Sequence, residues 1–545
     1  MVSKVKFFLK KKLKNNIGII IYLLIIFLFI LLTMCFNSLN SSKMANEIKE
    51  FQKNIQQKLE SFDPEKKDIK IIFWNSVSNS ESEMLNEIIK SFNKKHNKIK
   101  VISVNKGNWP ELYKNVSGVL PTDNYPNLVF CYPDYLFSYY YSGKLLPFDK
   151  FIEYSNQKNE NKIKEFNLYQ IIEDKVEINQ ENKTKEEIYS SYWEEGIIKL
   201  DGKNEQIFSL PFFKTEELLY YNKNYFAKNK KKFKEALQKF DCNKYKKKEE
   251  DWENDWNQKQ YEEYFNEKSK EIPKTPFTWE QIEILCETIK NIEKENNEKM
   301  VIPFFVQSIE NIFYDSAESM KINSSKDNIF NNENIKENIL KYFKKNFYDK
   351  QYLTSEKLSG LTDNISAFKN QEIYMMINSS RKLNDYQKII DSSFNLGIAP
   401  IPFHQNSTNN SKTLQQGPSI CFFYKKNTDE ILASWYFIKY LFSEEVSNIL
   451  LREGKFSPVK QYVQKYLDEH ETQKNNDLQY SLLKLINSTN KNKFYTKVFE
   501  KSNILRESIG NLFIDCLVIN FAKNEDLDIE INKKLKFYEN YYNSS

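Results

Sequence analysis

Between residues 69 and 131 three short apolar segments alternate with two amphipathic ones, and this order limits the possible folds more than any other feature. Ile69-Lys70-Ile71-Ile72-Phe73-Trp74 reads as a β-rich strand followed by a Ser/Asn turn. From Glu83 to Phe92 apolar residues recur at helical spacing, and Ile99 to Val104 reads as a second strand with partial alternation. Trp109 to Leu120 is again helical in pattern, and Tyr125 to Cys131 makes a third strand bounded by turn residues. Strand–helix–strand–helix–strand predicts an α/β unit with a mainly parallel sheet, because parallel neighbours need a crossover and the helix supplies it. In such sheets ligands collect at the carboxyl ends of the strands.

A chain of 545 residues is too long for one ordinary core and suits two or three lobes. Apolar residues at 40% and aromatics at 15% are enough to pack them. The net charge of +6 is partly local: Lys4, Lys6, Lys10, Lys11, Lys12 and Lys14 precede residue 15. The remainder is nearly neutral, which argues against a broad nucleic-acid-binding face. Six cysteines (Cys35, Cys131, Cys242, Cys286, Cys421, Cys516) are scattered without a C-x-x-C pair, and only three histidines exist. Isolated buried thiols are expected, with no zinc site, no disulfide framework and no cofactor.

Ile17 to Phe36 is an almost unbroken apolar run, long enough to cross a hydrocarbon core as a helix. The preceding lysines leave the N-terminus in the cytoplasm and export everything after it. An uncleaved anchor is the first reading. Acylation of Cys35 as a lipoprotein is the second, poorly served by the bulky Met34 before it, and a cleaved signal is the third. Residues 37–65 read as a polar stalk. Two charged stretches, 156–187 and 228–274, read as solvated helical insertions, with a partner-binding arm as the alternative. Aromatics in the second (Tyr245, Trp252, Trp256, Tyr261, Tyr264, Phe265) suggest that one face packs on the body.

Enzymatic constellations are missing. There is no phosphate-cradling G-x-x-x-x-G-K-[ST] or G-x-G-x-x-G, no H-E-x-x-H and no G-x-S-x-G. A carboxylate pair for glycoside hydrolysis stays open, because sequence spacing does not reveal separation.

From residue 66 onward the chain resembles the family 1 extracellular solute-binding proteins, the group of the maltose- and glycerol-3-phosphate-binding proteins. The resemblance rests on FWNSVSNSESEMLNEIIKSFNKKHNKIKV, on SGKLLPFDKFI, and most strongly on QIFSLPFFKTEELLYYNKNYFAK. PFTWEQI, QEIYMMINSSR, NLGIAPIPF, QQGPSICFF and ASWYFIKYLFSEEVSNILLREGKFSPV follow in the family's order. The resemblance implies a two-lobe, periplasmic-binding-protein-like α/β fold with a hinge cleft, preceded here by one N-terminal membrane-anchoring helix. Residues 66–211 and 396–462 would form the first lobe, 212–395 and 463–545 the second. It also implies a monomeric, non-enzymatic, extracytoplasmic substrate-binding component of an ABC importer, partnered by the importer's membrane subunits. A membrane-tethered adhesin is the alternative, and a glycoside hydrolase a more distant one.

A sugar cleft needs aromatic plates and polar groups at loop tips. Trp74, Asn75 and Ser76 end the first strand, with Trp74 as a core cap the competing reading. Tyr132, Pro133, Asp134 and Tyr135 end the third strand, with Asp134 and one tyrosine, Tyr135 by choice, expected to face the cleft; Lys214, Thr215 and Glu216 follow the crossover strand. Ser379, Ser380 and Arg381 come after the apolar strand at 373–377, Gln416 and Gly417 precede the strand at 418–423, and Phe456 stands where the family often has an aromatic. Arg is found only at 381, 452 and 506. Arg381 keeps a phosphorylated solute open, unless it pairs with a carboxylate such as Glu216.

Overall fold

The structure, a computed structural model, describes residues 43–157, 190–200, 204–245, 256–267, 269, 271–296, 301–322, 329–404, 412–471, 477–489, 493–520 and 524–545. The apolar run at 17–36, Cys35 and nearly all of the 156–187 insertion lie outside them. Among the described residues no helix is long and apolar enough to cross a membrane.

Strands β1 (Ile69–Asn75), β2 (Ile99–Asn105) and β3 (Leu128–Cys131) form as the alternation predicts. Their order is β2-β1-β3, all parallel, with Ile69 opposite Ile99 and Phe73 opposite Leu128. The intervening helices are Asn79–Lys95 and Trp109–Val119, and both open on a capping box, Ser78/Glu81 and Asn108/Glu111. A hairpin, β4 (Ile197–Leu200) and β5 (Asn204–Ile207), precedes β6 (Leu210–Pro211). A second sheet holds β7 (Glu217–Asn222), β8 (Phe304–Val306), β9 (Leu353–Ser355), β10 (Met375–Ser379) and β11 (Leu396–Pro400), in the order β11-β7-β10-β8-β9. The chain then returns through β12 (Thr413–Leu414) to β13 (Ser419–Phe422), which is antiparallel to β3 and β6 in the first sheet. The last strand, β14 (Lys493–Phe494), runs beside β12.

The second sheet is buried on both faces, so its strands alternate between two cores rather than between core and water. Leu218, Tyr220, Phe305, Met376 and Ile398 join the cluster built on the first sheet. Leu219, Tyr221, Phe304, Val306, Met375, Ile377 and Ala399 join a second cluster, closed by helices Ser502–Leu517 and Asn524–Ser544.

One strand stands elsewhere than the sequence reading put it: Leu396–Pro400 lies in the second sheet, paired with β7, because the return to the first sheet comes only after it. Helices Lys460–Glu469 and Leu478–Ser488 bury Val463, Leu467, Leu482 and Leu483 in the first cluster.

The segment read as a stalk is not free of the body. Helical residues 43–53 and the helix Ile55–Ser61 put Phe51 and Ile55 into the first core, with Phe51 6.1 Å from Phe151 and 6.3 Å from Tyr424 between ring centroids. In the 228–274 insertion, helices Lys230–Tyr245 and Trp256–Phe265 bury Phe233, Leu237, Tyr261, Tyr264 and Phe265 in the second core. Cys131, Cys286, Cys421 and Cys516 are free and buried. Cys131 and Cys421 are not isolated, since their sulfurs lie 2.8 Å apart. The register makes them diagonal neighbours, Cys421 facing Val129 and Ser419 facing Cys131. Diagonal Cα atoms sit roughly 7–8 Å apart, beyond comfortable disulfide reach.

Candidate functional site

Three chain passages lie side by side where the sheets meet. Thr215 N donates to Gln416 O at 3.0 Å and Gln416 N returns the bond at 2.9 Å. Gln415 N donates to Phe494 O at 2.9 Å, and Lys214 N to Phe456 O at 2.8 Å. The loops expected to offer 214–216, 416–417 and 456 thus use their backbones on one another. Gly417 has φ +107°, and a Cβ there would stand 2.3 Å from the Phe213 carbonyl oxygen, so the close approach requires glycine.

Around these passages charged side chains from both lobes converge. Glu81, on the first turn of its helix, accepts from Arg381 of the second lobe, and Lys455 Nζ stands 3.5 Å away. Burial alone would raise the Glu81 carboxyl, but Arg381 and Lys455 hold it down at about 2. Asp134, at the start of helix Pro133–Tyr141, receives Thr496 Oγ1 at 3.0 Å and faces Arg506 Nε at 3.7 Å. Arg506 also donates to Asn311 Oδ1. Tyr132 sits among Arg381, Glu81, Arg506 and Glu195, and burial pushes its phenol up.

Several expected site residues are engaged internally. Asn75 is fully buried, its amide donating to Ser103 Oγ at 2.7 Å and its oxygen accepting from Val77 N at 3.4 Å. Ser76 is buried beside it. Trp74 joins the first core, with Lys106 Nζ 4.0 Å above the ring, which is the core-cap arrangement. Tyr135 stacks on Tyr113 at 4.5 Å and 16°, leaving Tyr132 as the tyrosine among the charges. Lys214 is ion-paired with Glu195 and lies 3.2 Å from Ser419 Oγ. Glu216 pairs with Lys493 at 3.5 Å, so the partner of Arg381 is Glu81 and not Glu216. Burial pushes the Glu216 carboxyl up and the Lys493 ammonium down. Ser379 Oγ reaches Thr215 Oγ1 at 3.4 Å, and Ser380 N donates to Glu216 O at 2.7 Å. Phe456 is fully buried.

Sequence reasoning missed Glu81, Glu195, Asn311, Lys455, Lys493 and Arg506, and chose Tyr135 over Tyr132. Only Arg506 carried a signal, being one of three arginines. The others are ordinary residues until the fold brings distant segments together. Among the described residues no group of three His, Cys, Asp or Glu is arranged to hold a metal.

Two α/β lobes, three connecting passages and paired polar side chains from both lobes at their junction are the architecture of a hinged solute-binding protein. The pattern of the bacterial extracellular solute-binding protein family matches residues 87–478, and the chain belongs to that family. Extracellular solute binding is the role that this family carries. No curated protein matches it by sequence.

The fold recurs in the GacH receptor of Streptomyces glaucescens, solved unliganded and with acarbose, at 13% identity and TM-score 0.58, covering 88% of this chain and 98% of that one. It recurs in the maltose/maltodextrin-binding domain MalE of Bdellovibrio bacteriovorus bound to maltotriose, at 14% identity and TM-score 0.56, covering 87% and 100%. UgpB of Mycobacterium tuberculosis, in complex with glycerophosphocholine, is similar at 12% identity and TM-score 0.58, covering 87% and 98%. At these identities the likeness is one of fold.

Proposed function

We propose that the chain captures a neutral carbohydrate between its lobes and hands it to the membrane subunits of an ABC importer. The supporting observation is that both arginines of the cleft already have carboxylate partners, Arg381 with Glu81 and Arg506 with Asp134. A phosphate would have to displace those carboxylates, whereas sugar hydroxyls donate to a paired carboxylate and accept from a paired guanidinium together. Acarbose and maltotriose in the structural neighbours agree with this class. Tyr132, Asp134, Glu81, Arg381 and Arg506 would make the contacts, and hinge closure would follow from contacts to both lobes at once. The body divides into a first lobe on the β1 sheet and a second on the β7 sheet. The run at 17–36 would anchor the chain, keeping the monomeric domain close to its transporter and raising its effective concentration there.

Catalysis is not part of this reading. Lys214, Ser419 and Glu195 are mutually bonded, as in a nucleophile–base set, but each is at most 2% exposed and no substrate reaches them.

The test is a thermal-shift panel on the purified full chain in detergent, spanning neutral saccharides, polyols and sugar phosphates. A saturating shift worth about 2.7 kcal/mol at a hundredfold excess over Kd, from neutral saccharides alone, supports the proposal. A shift from phosphates alone refutes it.

A further inference from the structure

Behind Arg506 lies a buried group that ligand contact alone does not explain. Asn311, on helix Ile309–Ser319, takes Arg506 on its oxygen and gives its amide to Glu217 Oε1 at 2.8 Å. One turn further along the helix, Asp315 Oδ1 accepts from Leu414 N at 2.8 Å, which ties the same group to the β12 passage. The remaining oxygens, Glu217 Oε2 and Asp315 Oδ2, are buried without a hydrogen-bond partner. Two carboxylates that each leave a bare oxygen in a dry interior are very costly when both are charged, and one proton carried by the pair lowers that cost.

Among the described residues the charged surroundings offer little other compensation. Glu310, also facing Glu217, is ion-paired with Lys357 and adds negative charge. Among the described residues Arg506 is the cation acting on both carboxyls, and it is shared with Asp134 and lies over Tyr314. On the same helix, Ser316 bonds to His404, which burial keeps neutral. Burial, together with the like charge of Glu310, pushes Glu217 up to about 7, and burial and Glu217 raise Asp315.

We propose that Asn311 is a positioning residue that aims Arg506 at the cleft, and that Glu217 and Asp315 hold it there by sharing one proton. Loss of that proton places a second negative charge behind Arg506 and draws the guanidinium away from Asp134 and from solute. Saccharide affinity then falls as pH rises past neutrality. The effect on affinity rests on the carbohydrate reading above, whereas the shared proton itself does not.

Two measurements on the full chain in detergent separate the parts. The first needs no solute: urea unfolding of wild type, Glu217→Gln and Asp315→Asn across pH 5 to 8. A group that keeps its proton in the folded state but loses it in the unfolded one costs stability as pH rises, by up to a factor of about ten in the folded-to-unfolded ratio per unit. Wild type should show more of this loss than either variant between pH 5 and 7, because each amide removes one of the two carboxyls whose proton burial retains. Parallel profiles for all three proteins overturn the shared proton. The second is titration with maltotriose at pH 6 and 8. Wild type should bind about tenfold more weakly at pH 8, Glu217→Gln equally at both, and Asn311→Ala more weakly than wild type at both. Equal wild-type affinity at the two pH values overturns the coupling to solute. If maltotriose does not bind at all, the carbohydrate reading and with it the coupling are refuted, while the unfolding profiles still decide the shared proton.

Discussion

Arg381 and Glu81, 300 residues apart in sequence, are ion-paired across the cleft, so that the turn after β10 is held to the first turn of the helix after β1. Neither residue is unusual where it stands in the chain. Together they bind the two lobes to one another through a buried ion pair at their junction.

Arg381→Ala leaves Glu81 buried with Lys455 as its remaining cation. Breaking a buried pair on one side costs roughly 3 kcal/mol, which urea unfolding will show as a lower midpoint. A loss under about 1 kcal/mol would mean the pair is solvated in the unliganded protein, with the lobes apart.

Gly417→Ala forces a Cβ against the Phe213 carbonyl at a backbone angle side chains avoid. The expected loss is more than about 1 kcal/mol. It should come with weaker solute binding, since the strain falls on a passage joining the lobes. A variant with wild-type stability and affinity contradicts this placement.

Phe51→Ala tests whether the N-terminal helices belong to the first lobe. Phe51 is only 4% exposed among Phe151 and Tyr424, so truncation should cost about 3 kcal/mol. A free stalk would lose nothing measurable.

His404 sets an acid limit. Burial lowers its pKa from the usual 6.5 to about 4, so below 6.5 the unfolded chain binds a proton that the folded one refuses. Its contribution is therefore present above 6.5 and is lost as pH falls toward 4, by up to about 1.4 kcal/mol per unit. His404→Gln should flatten that part of the stability profile, and an unchanged slope would assign the acid limit to other groups.

The parallel β1–β3 unit was legible because each strand and helix carries its own period within a few residues, as Ile69–Trp74 and Glu83–Phe92 show. The sheet membership of Leu396–Pro400 was not, because an apolar strand does not state its neighbour. At the site, the strand-end rule pointed to Asp134 and Arg381, which the fold places in ion pairs at the junction of the lobes, but could not tell Tyr132 from Tyr135, whose side chains are separated only by the turn of a helix. Asn75, Lys214 and Thr215 were read as free for solute because their partners Ser103, Glu195 and Gln416 are distant in the chain. Buried ion pairs such as Glu216–Lys493 are set by tertiary contacts and leave no local pattern.

The most direct test of the carbohydrate reading is calorimetric titration of the full chain, at matched pH and salt, with maltotriose and with glycerol 3-phosphate, repeated on Arg506→Ala. The account predicts saturable binding of the neutral saccharide, little or none of the phosphate, and a loss of at least tenfold in the variant. Binding of the phosphate in preference, or saccharide binding indifferent to Arg506, would contradict it.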